Sequence, residues 1–288
     1  MQELHTPARD NYYVRGMHNQ LLGYAQAESM AGRNVNILVK GPQGCGKSTM
    51  PAQFAAVNNV PLVTIEMGLF SEANQIFGSM VIENGETIFR KGLFTQGITT
   101  PRCVVHIQEI NRPESDKTLN AIFSVLDETQ RKLYIDDADE EFAVAPGVVF
   151  FATLNEGYEF VGTMPLDEAL EDRFALKMKL DYLPHEQETN LLIERTGIDS
   201  STASQIVSVC NGLRTNTQSP MHISTRSAIE MSKLAKHGID PANSIRAVIS
   251  QDDDKIESVL ASIHFSGTTM GTVQSAYTPD YVIYGANR

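Results

Sequence analysis

The sequence predicts an α/β fold in which helices cover both faces of a parallel sheet, followed by a smaller helical domain. Two observations support this prediction. In the first part of the 288-residue chain, short apolar runs alternate with helical patterns, which favours strand–helix–strand units. From His185 onward only helical patterns remain. We therefore expect an α/β domain at 1–183, a helical lid at 184–266, and a tail at 267–288 that no pattern assigns.

The elements of the α/β domain follow from periodicity and from stop signals. A helix with a glycine stop is predicted at 19–32, and an apolar strand at 34–41 leads into a glycine-rich loop. A second helix is predicted at 47–59 and a second strand at 60–67. Further along the chain come a strand at 104–111, a hairpin at 131–144 and a strand at 148–157.

Five amphipathic segments predict the helices of the second domain, at 185–197, 200–214, 224–238, 240–250 and 252–264. Several begin at Ser or Asp and several end at Gly, as helix caps require. Asp240 and Pro241 form a cap followed by proline at the first helical position. The change of pattern places the domain boundary near Leu183 and Pro184.

Composition bounds the functional class. Hydrophobic residues make up 42% of the chain and charged residues 20%, which is typical of a globular protein. No apolar run approaches the ~20 residues of a membrane span, and the N-terminus lacks a signal-peptide core, so we expect a cytoplasmic protein. The net charge of −12 argues against broad binding to nucleic acid. Three scattered cysteines indicate neither a zinc site nor a disulfide framework.

The strongest motif is GPQGCGKS at 41–48, which fits GxxxxGK[ST] between a strand and a helix. Such a loop points backbone N–H groups at phosphates, Lys47 reaches the β- and γ-phosphates, and the Ser48 hydroxyl ligates Mg²⁺. The chain is therefore expected to bind ATP and Mg²⁺. The nucleotide-binding residues are predicted to be Gly41, Pro42, Gln43, Gly44, Cys45, Gly46, Lys47, Ser48 and Thr49.

Four further residues are candidates for ATP chemistry. Glu109 ends the apolar strand VVHIQEIN and could orient a water against the γ-phosphate, and Asn155 ends the strand VVFFATLNEG. Arg173, within LDEALEDRFAL, could reach a neighbouring subunit's phosphate as an arginine finger. Arg226 falls in the first turn of a helix that Ser224 is predicted to cap. Taken one at a time, each of these residues would be ordinary. Their order along the chain is what distinguishes them.

In combination these motifs resemble the AAA+ ATPases, and within them the MoxR family, over about residues 35–240. QEINRPESDKTLNAIFSVLDETQRKLYIDD is similar to that family's DEINRA…ALLEAMEE segment. FATLNEGYEFVGTMPLDEALEDRFALKMKLDYLP is similar to its ATQNP…PLPEAQLDRF…YP segment. ISTR at 223–226 resembles the second sensor of the CbbQ/NorQ and CobS branches.

The resemblance implies roles for the candidate residues. Lys47 and Ser48 would be Walker A residues, Glu109 the catalytic glutamate and Asn155 the first sensor. Arg173 would act in trans and Arg226 would be the second sensor, which makes Lys47, Glu109, Asn155, Arg173 and Arg226 the implied catalytic set.

The resemblance also implies an architecture and partners. The sheet would have five parallel strands in the order 5-1-4-3-2, and the chain would assemble into a ring, usually of six subunits, with ATP between neighbours. Residues 77–98 would form a helix-2 insert hairpin facing the ring axis, and 131–144 a hairpin with an acidic tip. Members of the family remodel a protein client, often with a von Willebrand factor A-domain partner, and their outcomes include metal insertion and enzyme reactivation.

The chain departs from the family pattern at two positions. Glu156 replaces the proline after the first sensor, and Gln108 replaces the Walker B aspartate that serves Mg²⁺. An amide oxygen can hold an Mg²⁺-bound water but adds no negative charge, so weaker metal binding and slow hydrolysis are expected.

Three functions therefore remain open from sequence. The first is a ring-forming ATPase that remodels a protein client, with low turnover. The second, motivated by Gln108, is an ATP-binding scaffold that changes shape with nucleotide and hydrolyses little. The third is a nucleic-acid motor of related architecture, which the acidic composition opposes.

Overall fold

The computed structural model describes residues 4–10, 18–69, 72–112, 116–155, 166–215, 221–249 and 256. The chain divides into two compact units, Met1–Leu183 and Pro184–Arg288. Among the residues that the structure describes, no helix is both long and apolar enough to cross a bilayer.

Unit 1 alternates helices and strands, as the sequence predicts. In chain order they are α1 (Asn19–Met30), β1 (Val35–Gly41), α2 (Thr49–Asn58), β2 (Leu62–Glu66), α3 (Ala73–Phe77), β3 (Gly78–Glu83), β4 (Glu86–Lys91), α4 (Leu93–Ile98), β5 (Val104–Gln108), α5 (Asp116–Leu126), β6 (Lys132–Ile135), β7 (Glu140–Ala143), β8 (Val149–Asn155), α6 (Glu168–Asp172) and β9 (Leu176–Lys179).

Five of the nine strands found among the described residues form one parallel sheet, with the spatial order β9-β1-β8-β5-β2. When only these five strands are numbered along the chain, the order is 5-1-4-3-2, so the predicted architecture is confirmed. Parallel strands end at the same edge, and the carboxyl ends of β1, β8 and β5 therefore lie side by side.

Both faces of the sheet are buried, which explains why its strands read as continuous apolar runs. On β1, Ile37 and Val39 pack with Phe54 of α2 on one face. Leu38, between them in sequence, packs on the opposite face with Ile122 of α5. This alternation is the period of two expected of an extended strand.

Two features of unit 1 differ from the sequence prediction. The insert predicted as a hairpin over 77–98 is an antiparallel pair, β3 with β4, and its last part, Leu93–Ile98, is the helix α4. The strand β9 was not predicted from its own residues, because LKMK is short and alternates with lysine. The second predicted hairpin is present, with β6 paired to β7.

Unit 2 is helical, with α7 (His185–Thr196), α8 (Ser200–Arg214), α9 (Thr225–Lys236) and α10 (Pro241–Val248). The Asp240 side chain accepts hydrogen bonds from the amides of Ala242 and Asn243, so the predicted cap is confirmed. The helices bury a separate apolar core that includes Leu192, Ile206 and Met231. The helix predicted at 252–264 lies outside the described residues except for Ile256.

Candidate functional site

The loop between β1 and α2 has the backbone that its glycines predict. A Cβ atom on Gly41 would lie 2.3 Å from the carbonyl oxygen of Leu180, so no side chain fits there. Gly46 has φ +95°, a conformation that other residues rarely adopt. The loop therefore requires glycine at these positions for its shape, and that shape presents backbone N–H groups beside the start of α2.

The polar side chains of the loop suit a phosphate ligand with its metal ion. The Lys47 ammonium is buried and donates hydrogen bonds to the carbonyl oxygens of Gly41 (2.8 Å) and Pro42 (2.6 Å). Ser48 stands at the N-cap of α2, but its hydroxyl does not cap the helix. An exposed hydroxyl at this place is an oxygen donor of the kind that Mg²⁺ prefers. The residues present thus fit a Mg²⁺–nucleotide.

Two of the predicted catalytic residues meet at the carboxyl edge of the sheet. Asn155 is the register partner of Gly41, so its backbone lies beside the first residue of the loop. Its Nδ2 donates a hydrogen bond of 3.1 Å to Oε1 of Glu109. The structure therefore brings the loop, Asn155 and Glu109 into one group.

Glu109 is held in an unusual conformation. Its φ is +55°, in the left-handed region, which costs a non-glycine residue on the order of 1 kcal/mol. The turn is fixed by hydrogen bonds from the Arg112 amide to the Glu109 carbonyl (2.9 Å) and from the Ile110 amide to Thr153 of β8 (3.1 Å). The Arg112 guanidinium also contacts Oε2 of Glu109 at 3.2 Å. Both carboxylate oxygens thus have a donor.

Gln108 is the last residue of β5 and is partly buried. Its register partner on β2 is Glu66, so a carboxylate stands on the neighbouring strand at the same level. Among the described residues, no group of three or more His, Cys, Asp or Glu side chains could hold a metal ion. The predicted magnesium donors, the Ser48 hydroxyl and the Gln108 amide, are of other types.

His106 lies two residues before Gln108 and joins three strands of the sheet. Its Nε2 lies 3.1 Å from Oγ1 of Thr153 on β8, and its Nδ1 lies 3.5 Å from Oγ1 of Thr64 on β2. Burial lowers the pKa of His106 to about 4, so the ring is neutral near pH 7.

Arg173 directly follows α6, and its guanidinium has partners within its own chain. Nη1 donates to the carbonyl of Ala169 (2.6 Å), and Nη2 lies 3.2 Å from Oδ2 of Asp127. The guanidinium also lies 4.9 Å from the centre of the Phe123 ring. The hydroxyl and amide of Thr129 hold the pKa of Asp127 below its usual range, and the charge of Arg173 adds to this effect. Arg173 thus pairs with an ionised carboxylate.

A buried amide fixes the backbone around Arg173. Asn36 of β1 is 1% exposed, and its Nδ2 donates to the carbonyl oxygens of Leu126 (2.8 Å) and Arg173 (2.6 Å). Its Oδ1 accepts a hydrogen bond of 2.7 Å from Nη1 of Arg131. One side chain therefore links β1 with the ends of α5 and α6.

Arg226 lies in unit 2, in the first turn of α9, and its side chain is exposed. The predicted cap is present, because Oγ of Ser224 accepts a hydrogen bond of 3.0 Å from the Ser227 amide. Within unit 2, the fold thus places Arg226 at a well-defined helix start.

Three residues that contact the predicted ones were not themselves predicted from the sequence. They are Arg112, Asp127 and Asn36. Surface arginines and aspartates carry no signal by themselves, and the Asp127–Arg173 pair joins residues 46 apart. Asn36 could have been found, because an amide in an apolar strand must have partners.

Comparison with known proteins covers nearly the whole chain. The profile of the AAA domain, dynein-related subfamily, matches residues 36–174, and that of the CbbQ/NirQ/NorQ C-terminal region matches 188–264. BssE of Thauera aromatica, which bears a chaperone name, is 41% identical over 285 residues, or 99% of this chain and 97% of BssE. NorQ of Paracoccus denitrificans is 25% identical, over 82% of this chain and 87% of NorQ. The denitrification regulatory protein NirQ of Stutzerimonas stutzeri is 24% identical, over 90% and 92%.

Solved structures support the fold. The Holliday junction branch migration motor RuvB of Thermotoga maritima is 16% identical, with a TM-score of 0.55 over 89% of this chain and 72% of RuvB. The AAA domain of FIGL-1, solved with ADP, is 15% identical, with a TM-score of 0.55 over 90% of this chain and 91% of that domain. At such identities the likeness shows the fold alone.

Proposed function

Because this chain belongs to the AAA+ ATPases, in the CbbQ/NirQ/NorQ branch of the MoxR family, we propose that it binds and hydrolyses ATP as a ring of identical subunits. We further propose that ATP binding and hydrolysis drive the remodelling or activation of a protein client. The proposal rests on one observation: Nδ2 of Asn155 donates a hydrogen bond of 3.1 Å to Oε1 of Glu109, beside the loop that begins at Gly41.

The residues of the loop and the sheet edge have separate tasks in this proposal. Lys47 and the backbone amides would bind the phosphates, and Ser48 would hold Mg²⁺. When bound, the metal ion neutralises charge on the phosphate oxygens. Glu109 would orient and deprotonate the attacking water, and Asn155 positions the Glu109 carboxylate through its Nδ2.

Gln108 sets the expected rate. Its amide would offer a metal-bound water an acceptor oxygen but no charge, whereas Mg²⁺ in nucleotide sites is usually held by one or two carboxylates besides the phosphates. We therefore expect turnover to be slow because Mg²⁺ is held weakly. ATP affinity is expected to depend mainly on the loop and on Lys47.

Arg173 and Arg226 complete the proposed site. Arg173 would leave Asp127 and stabilise charge on a neighbour's γ-phosphate, since arginine fingers act across subunit boundaries. Arg226 would sense the nucleotide from the helical unit. The role of Arg173 makes assembly a condition for hydrolysis, which supports a ring, expected to be a hexamer.

The nature of the client is proposed from the relatives. BssE bears a chaperone name and NirQ is named a regulatory protein, which supports a remodelling or activating role, with metal insertion as one form of it. A von Willebrand factor A-domain partner and a place in the cytoplasm belong to the same proposal. The net charge of −12 supports a protein client over a nucleic-acid one.

Steady-state phosphate release tests the proposed activity. The wild type should release phosphate in a Mg²⁺-dependent manner, and Glu109→Gln, which keeps the size of the side chain, should lower the rate by about 100-fold or more. Binding of a fluorescent ATP analogue should be unchanged in this variant. Equal rates for the two proteins would remove Glu109 from the chemistry.

Gln108 also favours a second candidate function, an ATP-binding scaffold that switches shape without appreciable hydrolysis. The two candidates share nucleotide binding and differ in turnover. A wild type that binds ATP and changes its oligomeric state, yet releases no phosphate above the Glu109→Gln background, would favour the scaffold.

A further inference from the structure

A buried ion pair in unit 2 lies next to the turn that carries Arg226. Glu188 of α7 and Arg214, the last residue of α8, form two hydrogen bonds, of 2.6 and 2.9 Å. Their side chains are 0% and 6% exposed. Removing two charges from water is costly, and apolar side chains of the same volume often stabilise a core as well or better. Stability alone therefore does not explain this pair, and its other hydrogen bonds indicate a geometric role.

Besides a bond of 2.9 Å from Nη1 of Arg214 to Oδ1 of Asn211 within α8, the pair makes two hydrogen bonds to the start of α9. Oε1 of Glu188 accepts a hydrogen bond of 2.8 Å from the Thr225 hydroxyl. Nε of Arg214 donates one of 2.7 Å to the carbonyl oxygen of Ile223. Ile223 and Thr225 flank the cap residue Ser224, so the pair holds the chain on both sides of the cap. We call Glu188, Arg214 and Thr225 the clamp. Arg226 is the next residue, and the clamp fixes the direction of its backbone.

The apolar core of unit 2 does not by itself set this direction. Leu192, Ile206 and Met231 bury the helix faces, but dispersion and hydrophobic contacts are not directional. The bidentate geometry between a guanidinium and a carboxylate is directional. The clamp can therefore fix the first turn of α9 more closely than side-chain packing alone.

We propose that Glu188, Arg214 and Thr225 are positioning residues that fix Arg226 for its part in nucleotide sensing. The proposal rests on the proposed function, because it needs Arg226 to act on ATP. It goes beyond that function by assigning a purpose to a buried ion pair that contributes no group to the phosphate-binding loop.

Thr225→Val tests the clamp with little change of volume, since it removes only the hydroxyl that binds Glu188. We expect the rate of phosphate release at saturating ATP to fall about fivefold. Thr225→Ser, which keeps a hydroxyl, should retain most of the wild-type rate. The matched control is Thr196→Val in the same unit, because Thr196 bonds to Leu192 within α7 and has no part in the clamp. The control should leave the rate unchanged.

A double-mutant cycle separates positioning from a general loss of structure. In an Arg226→Ala background, Thr225→Val should change the rate by less than about twofold, because the side chain that it positions is gone. A fivefold loss in both backgrounds, or a loss with Thr196→Val as large as that with Thr225→Val, would overturn the positioning role.

The same measurements distinguish this proposal from the one on which it rests. A wild type without phosphate release, or an Arg226→Ala variant with the wild-type rate, would overturn the sensing role of Arg226 and the clamp's purpose with it. Phosphate release that depends on Arg226 but not on Thr225 would overturn the clamp alone.

Discussion

At the residue scale, Gln108 is the residue to which we attribute the slow turnover proposed above. It ends β5, directly before the carboxylate of Glu109, where a negative charge would attract Mg²⁺. Glu66, its register partner on β2, is the carboxylate on the neighbouring strand. A neutral side chain therefore directly precedes Glu109, the residue that is proposed to be the catalytic glutamate.

Gln108→Asp should raise the rate of phosphate release by about tenfold and lower the Mg²⁺ concentration needed for half-maximal rate, because it adds the missing charge. The measurement is phosphate release across a Mg²⁺ titration. Gln108→Asn is the matched control, since it has the length of aspartate without the charge. A rise with Asn equal to that with Asp would mean that side-chain length, and not charge, limits the rate.

His106 should make the stability of the fold depend on pH. Its folded pKa of about 4 lies below the ordinary value of 6.5, so its contribution is complete above pH 6.5 and is lost as the pH falls towards 4. The loss should be on the order of 3 kcal/mol. Urea unfolding at pH 7 and pH 4.5, without nucleotide, measures it.

A His106→Val variant isolates this contribution from those of other titrating groups. It should be less stable than the wild type at pH 7, because Thr64 and Thr153 lose their partner, but its stability should fall less between the two pH values. Parallel pH dependences for the two proteins would show that His106 titrates normally.

The predictability of the site differs from residue to residue. The loop from Gly41 to Thr49 can be predicted from the sequence because a continuous motif forms it. Glu109 and Asn155 can be predicted because apolar strands end at them. The partners of Arg173 are not readable, since Asp127 and Asn36 approach it only after the chain has folded. Contacts between residues so distant in sequence leave no periodic signal.

At the scale of elements, the buried amide of Asn36 joins β1 to the ends of α5 and α6. Asn36→Ala should lower the free energy of unfolding by about 2–4 kcal/mol, because it leaves two carbonyl oxygens and the Arg131 guanidinium without this partner. Asn34→Ala is the control: Asn34 is less buried and accepts one hydrogen bond, from the Val148 amide, so about 1 kcal/mol is expected. Equal losses in urea unfolding would contradict the linking role.

Whole elements were predicted where local chemistry marks them. Four of the five parallel strands and the caps of α9 and α10 follow from apolar runs and capping side chains, and the two hairpins agree with what the family resemblance implies. The short strand β9 carries no such mark, because its lysines alternate with only two apolar residues. Its pairing with β1 depends on the sheet already formed.

At the scale of the whole molecule, the proposed role of Arg173 requires more than one subunit. A single chain holds Arg173 on its own Asp127, so this arginine is paired within the chain. Hydrolysis through a neighbour's arginine then needs assembly, and the specific rate of phosphate release should rise with protein concentration until the ring is formed. Light scattering on the same samples would follow the assembly.

Mixing two inactive variants tests whether Arg173 acts on a neighbouring subunit. Glu109→Gln subunits lack the catalytic carboxylate but carry Arg173, and Arg173→Ala subunits have the reverse defect. If Arg173 acts across the boundary, each variant alone should be nearly inactive, and an equimolar mixture should recover about a quarter of the wild-type rate, because sites that combine the two intact halves form at random. A mixture no faster than its separate components, or an Arg173→Ala protein as fast as the wild type, would show that Arg173 does not act across the subunit boundary.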